Sequence, residues 1–480
     1  MERVLEQLTI SAKIRYVGSY EELDIRVCLE NKLNTMVEDE FGLPKPLSIS
    51  LVIPTKIDAT KETRDVEMTA MRNTLSECGR LVDLGYVDEI IVVDGSLNEK
   101  NEPDFGVLEK VVDTAYDTLD LFKRQVELIN ENKAQALMAK RGFTDFIVKT
   151  VHQFDPNIFH ALNKLGVSKI SSLPRIPTGK GAALWLSTPL TAGDAVCFVD
   201  SDIINFKKEF VIALCDPVIR TMADTRLPIK LVKAFYRRLT VSFEPLGRKY
   251  FFGGRVTRLF AIPLFTVLSK EYPNIFGGID SLDYPLSGEF AVRRDLLERI
   301  TFPIDYSIEF SILRQTIKLA GVNQIAQVDL NFFHHIGQSV ENLGKMIPQI
   351  TNHIIKILAE EGVKVTESVR SRILTEYDNE VKTLLPKYEA LFDEKSQSLF
   401  QEIKEKLTYS KDVDLNFSQE FRKILDNTLA KDLQDNQSIL PSWAESGERT
   451  NYFVVSTILR RRGNQSTFSR LKNSGLFYGL

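Results

Sequence analysis

Residues 197–205 read CFVDSDIIN. The apolar run Ala195 to Val199 stops at two aspartates, Asp200 and Asp202, with Ser201 between them. A short apolar run followed at once by acids predicts a buried strand whose C-terminal end reaches the edge of a sheet. In open α/β sheets, ligands sit at that end. Two carboxylates converging there repel each other unless something positive lies between them, and a divalent cation held by oxygen ligands is the usual solution. For a lone Asp-x-Asp the competing reading is a solvated turn that caps a helix. The neighbouring segments decide between the two.

Upstream, Leu47 to Pro54 reads LSISLVIP, a strong strand pattern ending in a proline turn, Pro54-Thr55-Lys56. A helical period follows from Asp65 to Leu84, with Val66, Ala70, Leu75, Leu81 and Val82 on its apolar side, and Gly85 ends it. Glu89 to Asp94 is a second strand, tipped by Asp94-Gly95-Ser96. Strand, helix, strand in this order make a crossover unit and a parallel sheet. Three strands therefore carry polar tips at the same end. The expected fold is α/β and Rossmann-like, with a mainly parallel sheet.

Composition agrees. With 480 residues, 43% hydrophobic and 26% charged, the chain suits one large α/β domain plus a smaller addition. A net charge of −4 gives no general field for nucleic acid, so phosphate binding has to be local. Cys28, Cys78, Cys197 and Cys215 form no Cys-x-x-Cys pair, which fits reduced thiols and a cytoplasmic protein. The opening residues lack a signal-peptide core, and the most apolar stretch, Leu259 to Leu268, is too short to span a membrane and contains Pro263. No membrane partner is expected.

Three regions frame the sheet: an N-terminal arm over 1–46 with a helix around Glu21 to Val37, the α/β domain over 47–345, and a helical region over 346–480. Within the domain, about 100–175 reads as a helical insertion, because Val111, Val112, Ala115, Leu119, Phe122, Val126 and Ile129 recur at helical spacing. Pro177 to Leu184 then brings Gly179-Lys180-Gly181 into a helix start. Backbone N–H groups and a cation there suit a diphosphate, although the spacing is not that of a Walker loop. Gly253-Gly254-Arg255-Val256-Thr257 runs into another apolar helix, and its glycines let amides approach an anion. Arg248 and Lys249 read as a solvated face. Glu289 lies in a turn leading into an apolar segment. Glu309 at a helix start is a cap or a substrate ligand in equal measure. The last strand, from Gln324 to Phe333, ends at His334-His335, of which one alone can face a given site because side chains alternate. Arg460, Arg461, Arg462, Arg470 and Lys472 make the tail basic; it reads as a helical appendage for packing or oligomerisation, with a phosphate contact as the weaker option.

Strand tips carrying a proline turn, Asp-Gly-Ser and Asp-x-Asp form the arrangement of a GT-A nucleotide-sugar glycosyltransferase. The segments TGKGAALW, GDAVCFVDSDIIN, FFGGRVTRLFAIPL, YPLSGEFAVRRDLLERI and IAQVDLNFFHH resemble those of the glucosyl-3-phosphoglycerate synthases, retaining enzymes of glycosyltransferase family eighty-one. The resemblance runs in order from about Leu47 to Met346. It implies a metal-dependent transfer of glucose from a nucleoside-diphosphate glucose to the 2-hydroxyl of 3-phosphoglycerate, with Mg²⁺ or Mn²⁺ required. The product, glucosyl-3-phosphoglycerate, would feed a compatible solute or a polysaccharide precursor.

Carried over residue by residue, the resemblance implies that Pro54, Thr55, Asp94, Ser96, Lys180 and Ser201 bind the donor. Asp200, Asp202 and Glu289 would be catalytic, with Glu289 holding the glucose hydroxyls. Asp202 and His335 would be the metal ligands. Gly254, Arg255, Val256 and Thr257 would cradle the acceptor. Two departures stand out: Lys56-Ile57-Asp58 follows the proline turn where the family often has Asn-Glu, and Gly337 replaces an asparagine two residues beyond the metal histidine. A mannosyl donor, or a catalytically inactive nucleotide-sugar-binding regulator, is the rival reading; a homodimer stays open.

Overall fold

The computed structural model describes residues 12–478 apart from 17–18, 40, 168–174, 224–227, 245–246, 338–339, 391–406, 432–438 and 445–448. Among them, eleven strands join one sheet. In chain order these are β1 (Ala12–Tyr16), β2 (Ser19–Leu23), β3 (Ile49–Thr55), β4 (Glu89–Asp94), β5 (Val148–His152), β6 (Ala195–Phe198), β7 (Leu231–Glu244), β8 (Gly247–Phe252), β9 (Phe290–Arg293), β10 (Ile325–Ile336) and β11 (Leu407–Thr408). The spatial order is β2-β1-β10-β7-β9-β6-β3-β4-β5, with β8 paired to β7 and β11 to β8. Strands β6, β3, β4 and β5 run parallel, as the strand–helix–strand pattern predicts. Strand β9 enters antiparallel between β6 and β7, and β7 pairs parallel with β10.

Strands β3, β4 and β6 are largely apolar because helices cover both faces of the sheet. Leu51 and Ile53 of β3 belong to one hydrophobic cluster and Val52 to another, the alternation a pleated strand imposes. The Arg64–Asp83 helix lies on the first face with Leu75, Cys78, Leu81 and Val82, and the Lys180–Ser187 helix on the second with Ala182, Leu184 and Trp185. All four cysteines are buried and unpaired.

Three expectations change. The segment read as a helical insertion contains β5, the parallel edge strand. Its Lys149 and Thr150 concealed it: Lys149 is buried against Glu89 and Asp145, and the Thr150 amide donates to Thr467 Oγ1 at 2.9 Å. Glu89 and Thr467 come from distant parts of the chain. The helix expected from Glu21 instead starts at Ile25, capped by Asp24, whose side chain accepts from the Arg26 amide. Residues 19–23 pair with 12–16 in a hairpin that extends the sheet beside β10. Strand β10 also continues through both histidines to Ile336. The side chains of Arg248 and Lys249 lie outside the described residues.

Residues 340–473 contribute the helices Val340–Glu360, Glu367–Ala390, Lys411–Leu429 and Arg449–Asn473. The first three pack with the Ile262–Glu271 helix in a separate apolar cluster around Phe265, Ile347, Leu358, Tyr377 and Leu425. The last lies along β5, and three of its arginines make packing contacts: Arg460 pairs with Asp145, Arg461 sits 4.2 Å over the Phe143 ring, and Arg470 sits 4.4 Å over that of Phe105. Among the described residues, no helix is long and apolar enough to cross a membrane.

Candidate active site

The stretch CFVDSDIIN leaves β6 after Phe198 and is stitched to β10, mostly by Asn205. Its side-chain amide donates to the Phe332 carbonyl at 2.9 Å, and its oxygen accepts the His334 amide at 2.8 Å. The Ile204 amide donates to the His334 carbonyl at 2.9 Å. Backbone pairing thus carries the second aspartate to the end of β10.

Which histidine meets it is decided by a bulge. The register of β10 on β7 shifts between Asp329 and Phe332, where Asn331 takes φ +63° and its amide donates to Asp329 Oδ1 at 2.7 Å. Asparagine tolerates that left-handed geometry better than most residues. Beyond the bulge, Phe333 and His335 share the inner face. Phe333 stacks on Tyr236 at 4.2 Å, and His335 Nδ1 lies 3.4 Å from Asp202 Oδ1. His334 turns to the other face, with its ring 5.1 Å from that of Tyr250.

Burial alone would raise the Asp202 pKa, but His335, Arg238 and Lys180 outweigh it and hold the carboxyl well below its ordinary range. Both ring nitrogens of His335 are buried; among the described residues Nε2 has no partner, and Nδ1 has only its long 3.4 Å approach to Asp202. Buried imidazole nitrogens normally find partners, so an ionised carboxylate beside an unsatisfied imidazole fits a divalent cation. Among the described residues no group of three or more His, Cys, Asp or Glu side chains could hold a metal. Asp202 and His335 alone would leave such a cation short of ligands, so further oxygens would have to come from a bound molecule such as a diphosphate.

Lys180 faces this pair. Its Nζ lies 2.7 and 2.9 Å from the Asp200 oxygens and 3.0 Å from Glu309 Oε1. The flanking glycines set its position through close packing. A Cβ at Gly179 would lie 2.1 Å from the Ile304 carbonyl oxygen, and one at Gly181 would lie 1.8 Å from that of Pro303; Gly179 also has φ +129°. Burial disfavours the charged amine, but Asp200, Glu309 and Glu289 override it and keep Lys180 protonated well above the usual lysine range. Glu309, ambiguous in sequence, thus joins the site through an ion pair.

One layer below lies Glu289. Its Oε2 accepts from Tyr236 Oη at 2.8 Å, and its buried Oε1 has no partner. Burial first, and the Asp200 charge second, push its pKa up. Lys233 underpins the same turn, donating to the Ser287 carbonyl at 2.5 Å; burial pulls its pKa down to about 8. Tyr236 and Arg238 alternate toward the cleft from β7, whereas Arg237 faces away and pairs with Asp329 at 3.3 Å. None of these was assigned a role from sequence; the two-residue spacing of Tyr236 and Arg238 was the available signal.

The fourth wall is the loop Gly253 to Thr257. Gly254 has φ +66°, and a Cβ there would lie 2.6 Å from Tyr284 Oη. The loop enters a π-turn at Val256–Ala261 and then the Ile262–Glu271 helix.

One cleft thus brings together Lys180, Asp200, Asp202, Gly254, Arg255, Val256, Thr257 and His335. Glu289 lies buried outside its lining; Ser201, between the two aspartates, and Pro54, Thr55, Asp94 and Ser96, at neighbouring strand tips, also lie outside it. Asp94 and Ser96 are fully buried: Asp94 Oδ1 accepts from Ser96 Oγ at 2.5 Å, and Ser96 Oγ accepts the Ile57 amide at 2.7 Å. They shape the tip from inside. His152, missed along with β5, supports them. Its Nδ1 accepts the Phe154 amide at 3.1 Å, which leaves Nε2–H to donate to the Ser96 carbonyl at 3.1 Å.

No family model matches the chain. Over 206 residues it is 38% identical to the glucosyl-3-phosphoglycerate synthase of Mycobacterium tuberculosis (strain ATCC 25618 / H37Rv), a match covering 42% of this chain and 60% of that protein. The enzyme of the same name from Petrotoga mobilis is 35% identical over 213 residues, covering 43% of this chain and 60% of its own length. The matched stretch therefore spans about three-fifths of these curated relatives. Among solved structures, the chain aligns with the M. tuberculosis glucosyl-3-phosphoglycerate synthase in complex with Mn²⁺, UDP-glucose and phosphoglyceric acid. That alignment has a TM-score of 0.46 and 25% identity, and covers 71% of this chain and 86% of that one.

Proposed function

We propose that the chain is a metal-dependent, retaining nucleotide-sugar glycosyltransferase of the GT-A kind. More particularly, we infer that it transfers glucose from UDP-glucose, or another nucleoside-diphosphate glucose, to the 2-hydroxyl of 3-phosphoglycerate. The carrying observation is a single cleft in which an ionised Asp202 and an unsatisfied His335 face Lys180 on one side and the Gly254–Thr257 loop on the other. The similarity to enzymes named for this reaction supports the choice of sugar and acceptor.

In this reading Asp202 and His335 would hold Mg²⁺ or Mn²⁺, which supplies Lewis-acid stabilisation of the departing diphosphate. Lys180, kept charged by its carboxylate neighbours, adds a second cation where negative charge develops. The unpartnered Oε1 of Glu289 accepts from a glucose hydroxyl. Arg255 and the loop amides receive the carboxylate and phosphate of the acceptor, which explains a cationic, glycine-rich wall better than a neutral sugar would. The bond from the anomeric carbon to the diphosphate breaks as the bond to the acceptor oxygen forms on the same face. The acceptor proton passes to the leaving phosphate oxygen, and no side chain is needed as base. The four buried thiols suit a reducing, cytoplasmic setting.

The test is a panel of nucleoside-diphosphate sugars against 3-phosphoglycerate, with Mg²⁺, with Mn²⁺ and with excess EDTA. Metal-dependent release of the nucleoside diphosphate from a glucose donor, with formation of glucosyl-3-phosphoglycerate, is expected. Transfer from a mannose donor alone, or no transfer at all, overturns the reading.

A further inference from the structure

The Lys411–Leu429 helix comes from the C-terminal region, beyond the motifs that carry the resemblance, yet it forms part of the loop's surroundings. Ser410 caps it, accepting from the Val413 amide, and Asp414 in its first turn is buried. Asp414 Oδ2 lies 2.8 Å from Arg258 Nη1, and Oδ1 lies 3.3 Å from Nη2. Arg258 also donates to the Gly253 carbonyl at 2.8 Å, and its guanidinium lies 4.0 Å over Phe252 and 4.8 Å over Tyr388. A buried two-point ion pair whose Nε–H is also satisfied is costly to break. The helix is pinned to the loop.

Phe417 is three residues further on and projects from the same face as Asp414. Its ring lies 4.5 Å from Arg255 Cζ. Arg255 Nε is 3.8 Å from Asp414 Oδ1, too long for a hydrogen bond, and makes none. The aromatic face is therefore the close support of this guanidinium. A stacked guanidinium is held by its face while its N–H donors stay free in the plane, the geometry for two-point binding of a carboxylate or phosphate.

We propose that Phe417, seated by the Asp414–Arg258 pair, is a positioning residue that holds Arg255 ready for an anionic acceptor, so that the C-terminal region completes the acceptor subsite. This rests on the acceptor reading above and extends it to a residue outside the glycosyltransferase motifs.

The test is steady-state kinetics on the full chain with Phe417→Leu, Phe417→Ala and Phe417→Tyr, alongside thermal melts. Leucine keeps the apolar contact without the ring face and tyrosine keeps the face. The leucine and alanine variants should raise the KM for 3-phosphoglycerate by roughly three- to tenfold, the range of a partly desolvated cation–π contact. The KM for the sugar nucleotide and kcat at saturating acceptor should stay within about twofold, and tyrosine should restore the acceptor KM. A leucine variant with wild-type acceptor KM overturns the inference and leaves the proposed reaction standing. So does an equal rise in both KM values, or a fall in kcat alone. A wild-type protein that makes no product from 3-phosphoglycerate overturns the reaction and this inference together.

Discussion

Replacing Lys180 by methionine keeps the stem and removes the charge, and two separable losses should follow. The first is structural. Lys180 Nζ bridges Asp200 and Glu309 at 2.7 and 3.0 Å, and without it two carboxylates face each other unpaired. Breaking a buried pair costs about 3–5 kcal/mol. The Lys180 and Asp200 side chains keep 20% and 23% exposure, so the low end, about 3 kcal/mol, applies. The second loss is catalytic. A preorganised charge aimed at the leaving group is worth roughly 10²–10³ in kcat, and the acceptor KM should change little because Arg255 is untouched. Denaturant melts and initial rates at saturating substrates read the two losses independently. The double variant Lys180→Met/Asp200→Asn removes one of the facing carboxylates and should recover most of the stability without recovering the rate. If Lys180→Met keeps kcat within about tenfold of wild type, or if rate returns together with stability, Lys180 is only a structural bridge and the reasoning fails.

Asp202→Ala should abolish turnover while the circular dichroism spectrum is kept; undiminished activity in excess EDTA would remove the metal from the site. His335→Ala should weaken Mn²⁺ binding in a direct titration and His334→Ala should not, because the bulge at Asn331 turns the first toward Asp202 and the second toward Tyr250; the reverse order refutes the assignment. Arg255→Ala should raise the acceptor KM far more than the donor KM, since a lost charged hydrogen bond costs about 1.5–3 kcal/mol; equal changes in both would refute it. Asp94 offers a test by pH. Burial, opposed by the Ser96 hydrogen bonds, raises its pKa to about 7, so between the unfolded value near 3.9 and 7 the folded chain binds the extra proton. Its contribution is thus lost as pH rises through that window. Asp94→Asn should stabilise the protein by up to the order of 3–4 kcal/mol at pH 8 and by less at pH 5; equal effects at both values would show that Asp94 titrates normally.

The parallel core was legible in the sequence because local chemistry and burial agree there. Strands β3, β4 and β6 are apolar runs ending in polar tips, and that pattern survives any reasonable packing. The Asp200–Asp202 pair, Lys180 between glycines and the Gly254–Thr257 loop were visible because each breaks an apolar stretch with residues that a core would not choose. Strand β5 was not legible: Lys149 and Thr150 look solvated until Glu89 and Thr467 arrive to satisfy them. The same holds for β7, where Tyr236 and Arg238 stand out as site residues only once the sheet closes over alternate residues. Alternation along β10 narrowed the histidines to one of two and the resemblance pointed to His335; the bulge is the physical reason that His335 faces Asp202. The N-terminal hairpin and the Phe417 support for Arg255 depend on contacts between segments far apart in the chain. Such contacts leave no periodic trace, because each partner is specified by a surface that exists only once the rest has folded. The sequence by itself thus determined the strands, their tips and the kinds of groups that gather there. The tertiary structure alone decided which of those groups face one another, because a side chain's partner depends on register, twist and the elements that close over it.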